Sequence, residues 1–257
     1  MCLIVFAWDF HEEYKLVLAA NRDEEYKRKS MKATFWEDAP GVVAGRDLQA
    51  GGTWMGINEN WKFSAITNFR NPKIIKPNAP TRGFLPLNYL RSVSDPLAYL
   101  KLLQQNDGEK YNGFNLLAGD QDGLFHYNNV YNKVAKVERG IHALSNATLD
   151  TSWPKVERAK AKLKRELSYG FDELSLLEMM YDIEKAADTD LPKTGVTLKW
   201  EKDLSPMFIK TPEYGTVSSS VLLIDRANRV TFAERTYSKA TGICKDQTLK
   251  FELKVKD

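Results

Sequence analysis

Cysteine is scarce in this chain, two in 257 residues, yet Cys2 stands directly behind the initiator. Aminopeptidases remove an initiator Met when the second residue is small, and Cys qualifies. Removal would leave a thiol and a free α-amine on one residue. A thiolate is a strong nucleophile even at a small ionised fraction. An α-amine titrates near ~7.7–8.0 and can take the thiol proton at neutral pH. Nucleophile and base would then arrive together. Cys2 also has a plain structural reading: free Cys is among the most buried residue types and suits the start of a core strand.

A thiol attacking an acyl carbon needs hydrogen-bond donors for the oxyanion that forms. Asn68 and Asn146 each close a predicted strand, and their side-chain amides are suitable donors. Arg22 could lower the thiol pKa or hold a substrate carboxylate. Asp23 could accept a hydrogen bond from the α-ammonium and orient it. Arg46 and Asp47 fall at another strand end. Each also has a plainer role. Asn at a strand end is commonly a turn residue, and an adjacent Arg and Asp commonly form a solvated pair worth little. Gly51-Gly52 reads as a turn, because it lacks the Lys-Ser/Thr of a phosphate loop. Ser145 and Ser218 to Ser220 have no spaced His partner, which argues against a serine triad.

The elements that must position these groups are read from periodicity. The apolar runs Leu3 to Trp8 and Leu16 to Ala20 flank a polar turn and predict a hairpin, placing Cys2 on a rigid strand. Val42 to Ala44 predicts a short strand. Gly51 to Asn58 predicts a hairpin arm whose return, Trp61 to Thr67, ends at Asn68. Leu85 to Ser92 and Leu97 to Gln104 carry helical spacing, the second with Asp95 as N-cap and Pro96 at its first position. Strands follow at Gly113 to Ala118 and Leu124 to Tyr127. Val134 to Val137 and Ile141 to Leu144 are expected to pair with each other, ending at Ser145-Asn146. A helix runs from Asp150–Pro154 to about Ser168, and a second starts at Asp172 or Ser175. Thr216 to Asp225 and Val230 to Arg235 predict a hairpin, and Thr248 to Val255 a strand with one wet face. Paired strands with two helical blocks between them predict an α+β fold, with hairpin-built sheets and helices on their outer faces.

Composition narrows the function. Apolar content of 43% and charged content of 28% are those of an ordinary globular protein, and the expectation is one domain over residues 1–257. A net charge of +3 gives no basis for nucleic-acid binding. The densest basic run, Lys155 to Arg165, is interleaved with apolar residues like the wet side of a helix. No segment approaches the ~20 apolar residues of a membrane span. Two Cys cannot build a disulfide framework, and three His offer little for zinc. A cytoplasmic protein with reduced thiols is expected, with Cys244 a structural or surface thiol.

Several blocks taken together resemble a known family. They are Met1-Cys2, Ala20-Asn21-Arg22-Asp23-Glu24, Ala44-Gly45-Arg46-Asp47, Gly51-Gly52-Thr53-Trp54-Met55-Gly56-Ile57, Ile66-Thr67-Asn68-Phe69-Arg70, Tyr111-Asn112-Gly113-Phe114-Asn115, Leu144-Ser145-Asn146 and Tyr214-Gly215-Thr216. Their order is that of the NRDE proteins, also called the transport and Golgi organisation 2 family. That family in turn resembles the N-terminal-nucleophile hydrolases of the choloylglycine hydrolase and penicillin V acylase group. The resemblance implies a four-layer αββα sandwich. It implies Cys2 as nucleophile, Arg22 as the arginine beside it, and Asn68 and Asn146 as the asparagines near the oxyanion. Asp23 is a looser match to the aspartate that holds the α-amine, because its spacing from the Arg differs. The group's last catalytic arginine has no clear counterpart here.

Two functions follow. The first is a cysteine amidohydrolase that cleaves a carbon–nitrogen amide of a small molecule and needs neither metal nor organic cofactor. The second is a ligand-binding or trafficking protein that kept the fold and lost the reaction. The resemblance also connects the family with haem or lipid handling, so Cys2 or His11 would be the residue to ligate haem iron. His11 otherwise reads as a solvated turn residue. The sequence leaves the oligomeric state open.

Overall fold

A computed structural model describes residues 2–238 and 244–254. The elements in chain order begin with β1 (Cys2–Trp8), β2 (Tyr14–Glu25), β3 (Ser30–Trp36), β4 (Ala39–Asp47), β5 (Met55–Asn58) and β6 (Phe63–Asn68). Helices α1 (Phe84–Arg91) and α2 (Pro96–Asn106) follow, then β7 (Phe114–Gly119), β8 (Leu124–Asn128), β9 (Lys133–Lys136) and β10 (Gly140–Leu144). The chain continues through α3 (Pro154–Tyr169), α4 (Glu173–Met179) and α5 (Leu198–Asp203) to β11 (Tyr214–Asp225), β12 (Arg229–Tyr237) and β13 (Cys244–Glu252). The described residues divide into two compact units, one of residues 2–27 with 139–238 and 244–251 and the other of residues 28–138 with 252–254.

The first unit holds a six-stranded antiparallel sheet in the order β10-β1-β2-β11-β12-β13. β1 is buried at every position, as its unbroken apolar run requires. Alternation sends Leu3, Val5 and Ala7, with Val17 and Ala19 of β2, into a core closed by Val156, Ala159 and Leu163 of α3 and Leu176 and Leu177 of α4. Cys2, Ile4 and Phe6 take the opposite face. The α4 N-terminus is fixed by a capping box in which Asp172 and Ser175 bond each other's backbone.

The second unit holds a seven-stranded antiparallel sheet in the order β3-β4-β5-β6-β7-β8-β9. Ile66, Phe114, Leu116 and Tyr127 pack under Leu85 and Tyr89 of α1 and Leu100 and Leu103 of α2. Asp95 caps α2 through the Ala98 N–H, with Pro96 at the first turn, as expected.

Three expectations need correction. Val134 to Val137 and Ile141 to Leu144 do not pair with each other: β9 pairs with β8 and β10 with β1, in different sheets. The turn residues between them mark a crossing from one unit to the other. β3 has no counterpart in the periodicity, because it is an edge strand with two register breaks and no clean alternation. The last strand begins at Cys244, four residues earlier than expected, and residue 255 lies outside the described residues.

Candidate active site

The β1–β2 register places Cys2 opposite Arg22. Both residues lie on the sheet face away from α3 and α4, with Cys2 8% and Arg22 7% exposed. On its other side β2 pairs with β11, setting Arg22 opposite Ser218 and Asp23 opposite Thr216, with a bulge between Thr216 and Ser218. One transverse row therefore reads Cys2, Arg22, Ser218, Thr236. Burial pushes the Cys2 thiol up, and the Asp23 carboxylate adds to the push. The Asp23 backbone N–H, donated to the sulfur, and the Arg22 charge pull it back without cancelling the rise.

The residues flanking Arg22 are held from the outside. Asn21 is fully buried, donates to the carbonyls of Met180 (3.0 Å) and Met207 (2.8 Å), and accepts from Ser219 Oγ at 2.6 Å. Ser219 in turn lies 2.9 Å from the Tyr237 hydroxyl. Asp23 Oδ1 accepts from Thr216 Oγ1 at 2.7 Å, and the Asp23 carbonyl accepts from the Tyr214 hydroxyl at 2.9 Å. Ser145 Oγ stands 3.2 Å from the Cys2 carbonyl oxygen and 3.3 Å from Asn146 Oδ1, so its single proton serves one or the other. Asn146 is fully buried, and with Oδ1 turned to Ser145 its NH2 end points elsewhere.

Cys2, Arg22, Asp23 and Asn146 thus belong to one unit, while Asn68 closes β6 in the other. Asn68 is half-buried and opposite Phe114, and alternation along β6 puts it on the Ile66 side. Arg46 and Asp47 form ion pairs within that other unit: Arg46 with Asp38 and Asp47 with Arg28. His11 accepts the Glu13 N–H on Nδ1 and packs against Tyr14 and Phe171. It sits past the end of β1 opposite to Cys2, so the two cannot share one iron. Cys244 is an exposed free thiol, as expected. Among the described residues no group of three or more His, Cys, Asp or Glu is placed to hold a metal ion.

Sequence reasoning passed over Asn21, Ser145 and Thr216 as parts of this site. It also passed over a second buried polar group in the other unit. There, Asn115 Oδ1 meets His126 Nε2 at 3.0 Å and accepts from Asn128 Nδ2 at 2.8 Å, and Asn115 Nδ2 donates to Thr67 Oγ1 at 3.2 Å. The available signal was polar residues inside apolar strands, such as Asn115 between Phe114 and Leu116.

Residues 1–239 match the family Transport and Golgi organisation 2. The chain belongs to that family. The Transport and Golgi organization protein 2 homolog of Bos taurus is 33% identical over 258 residues, which cover 92% of this chain and 93% of the relative. The Mus musculus homolog is 33% identical over 276 residues, 98% of this chain and 99% of the relative. The Drosophila melanogaster protein is 27% identical over 92% of each chain. Among solved structures, this member of the Transport and Golgi organisation 2 family is similar to a mutant conjugated bile acid hydrolase from Clostridium perfringens. The TM-score is 0.54 at 9% identity, over 100% of this chain and 99% of the other. A second variant of that hydrolase gives 0.52 at 10% identity, over 98% and 97%. At such identities the likeness shows the fold: the αββα sandwich of the N-terminal-nucleophile hydrolases. No helix among the described residues is long and apolar enough to cross a membrane.

Proposed function

We propose that this family member is a cysteine N-terminal-nucleophile amidohydrolase cleaving a carbon–nitrogen amide bond of a small molecule. The observation that carries this reading is the pairing of Cys2 with Arg22 at one edge of a buried ladder, with the Asp23 N–H on the sulfur. Removal of Met1 frees the α-amine of Cys2, which takes the thiol proton. The sulfur attacks the acyl carbon, forming a C–S bond and an oxyanion that the amides of Asn68 and Asn146 receive. Collapse breaks the C–N bond, and the α-ammonium returns its proton to the leaving amine. Water then attacks the thioester, giving its proton to the α-amine. The C–S bond breaks, the carboxylic acid departs and the thiol is restored. Arg22 favours the thiolate, and Asp23 orients the amine. No step calls for a metal or an organic cofactor.

We read residues 1–257 as one working domain, because the family match and the structural likeness run through both units. Two free cysteines, one of them exposed, support a reducing cytoplasmic setting. The test is hydrolysis of a panel of activated small amides by the purified, processed protein and by Cys2→Ala. Turnover lost in the variant supports the reading; equal turnover in both refutes it.

One observation favours a second reading, a binding or trafficking protein without turnover. Burial leaves the Cys2 thiol raised rather than poised near neutrality, and the relatives' names speak of transport. Titration with haem, followed by its absorption band, addresses this: a band that moves on mutating Cys2 favours the second reading.

A further inference from the structure

We propose that Thr216 is a positioning residue for the Cys2 site, holding the Asp23 carboxylate through its hydroxyl and tying it to the strap of residues 205–216. The inference rests on the reading of Cys2 as nucleophile and adds a residue and a structural element to it.

A threonine hydroxyl has one proton to donate and lone pairs to accept with. Here both are committed. Thr216 Oγ1 donates to Asp23 Oδ1 at 2.7 Å and accepts from the Ile209 N–H at 2.9 Å. The Thr216 N–H returns to the Ile209 carbonyl at 2.9 Å. The strap is bound to the same stretch of β2 twice more: by the Met207 carbonyl, which accepts from Asn21, and by the Tyr214 hydroxyl, which donates to the Asp23 carbonyl. Residues 21 and 23 are thus clamped on either side of Arg22, the partner of Cys2.

Two further features fit a built device. Thr216 adjoins the register break in the β2–β11 ladder, and a bulge is a usual means of re-aiming a side chain. Gly215 leaves no room for a side chain: an added Cβ would stand 2.5 Å from the Ile209 carbonyl oxygen and closer still to the Tyr26 hydroxyl. Only glycine lets this end of β11 approach Ile209 closely enough for the Thr216 contacts. Tyr214-Gly215-Thr216, a block with no local chemistry of its own, is thereby explained as one part.

The consequence concerns charge. Asp23 lies close enough to Cys2 to disfavour its thiolate. A donated hydrogen bond offsets part of the carboxylate's charge and fixes its direction. Among the described residues, the titratable groups around Asp23 include Arg22 and Glu24 on its own strand, Cys2 on β1, Tyr214 on β11 and Tyr26 beyond the end of β2.

The test is the titration of the Cys2 13Cβ shift in protein labelled at cysteine, with Cys244→Ala leaving one signal. Thr216→Val keeps the shape and drops the hydroxyl. Its thiol midpoint is expected to rise by about half a pH unit or more, with Thr216→Ser titrating like the parent. A parent-like midpoint in folded Thr216→Val overturns the proposal. So does a shift in Thr216→Ser as large as that in Thr216→Val, since the hydroxyl would then be irrelevant. Asp23→Asn must lower the midpoint, and no change or a rise overturns the proposal whether or not Thr216→Val folds. The titration needs no turnover. Shifts as expected in a protein without amidase activity would sustain the positioning role and refute the hydrolase.

Discussion

Arg22 faces Cys2 directly across the β1–β2 ladder, and each is almost wholly shielded from solvent. A guanidinium in that position offsets part of what burial does to the thiol. Arg22→Gln is therefore expected to raise the thiol midpoint and shift the pH optimum of turnover upward, with about tenfold lower activity at pH 7. The pH–rate profile of the variant beside wild type is the check, and an unmoved profile would remove Arg22 from the site.

The two asparagines are not equivalent. Asn146 is fully buried in the unit that carries Cys2, while Asn68 is half-buried at a strand end on the Ile66 side. Asn146→Ala is expected to lower kcat about 100- to 1,000-fold, the size of effect seen when an oxyanion donor is lost, and Asn68→Ala about tenfold or less. Steady-state kinetics of the pair decide this, and the reverse order would put the principal donor on β6.

Asn21 fastens β2 to the Met180 carbonyl at the end of α4 and to the Met207 carbonyl of the strap. Asn21→Leu leaves both carbonyls and the Ser219 hydroxyl short of a buried partner. The expected loss of stability is about 2–4 kcal/mol, read as a lower urea midpoint with unchanged slope. A loss below about 0.5 kcal/mol would mean that water replaces the amide at little cost.

Acid stability has an identifiable contributor in Asp182. Burial alone would raise its carboxyl, but Lys162 at 2.7 Å, the Glu184 N–H and Arg158 outweigh it, and the pKa is lowered. A group depressed on folding contributes stability that is complete above its unfolded value, near ~3.9, and is lost as pH falls through its folded value. Asp182→Asn should thus lower stability at neutral pH and flatten its decline below about pH 4, as measured by denaturation at a series of pH values.

These relationships differ in how far the sequence reveals them. β1, β2 and the β11–β12 hairpin were legible because their apolar runs are long and interrupted by polar turns. The helices were legible through Asp95-Pro96 and Asp172, whose capping chemistry is local. The partner of β10 was not, since its pairing depends on residues more than a hundred positions away, as in Ile4 with Leu144, and β9 turns back on the preceding strand β8 instead of on β10. The same holds for the site. Cys2 and Arg22 could be named because a hairpin brings them together. Thr216 and Asn21 bond across 193 and 198 residues, and their types alone are those of ordinary strand and turn residues. A short edge strand such as β3, with register breaks, offers no period to detect.

The central claim is that processing exposes a nucleophile at residue 2. Its most direct test is the intact mass of the purified protein before and after mixing with an activated small amide, followed by peptide mapping. The account predicts a chain lacking Met1 that gains one acyl group, mapped to Cys2 and lost again on hydrolysis. A chain that retains Met1, or an acylated protein whose adduct maps elsewhere, would contradict it.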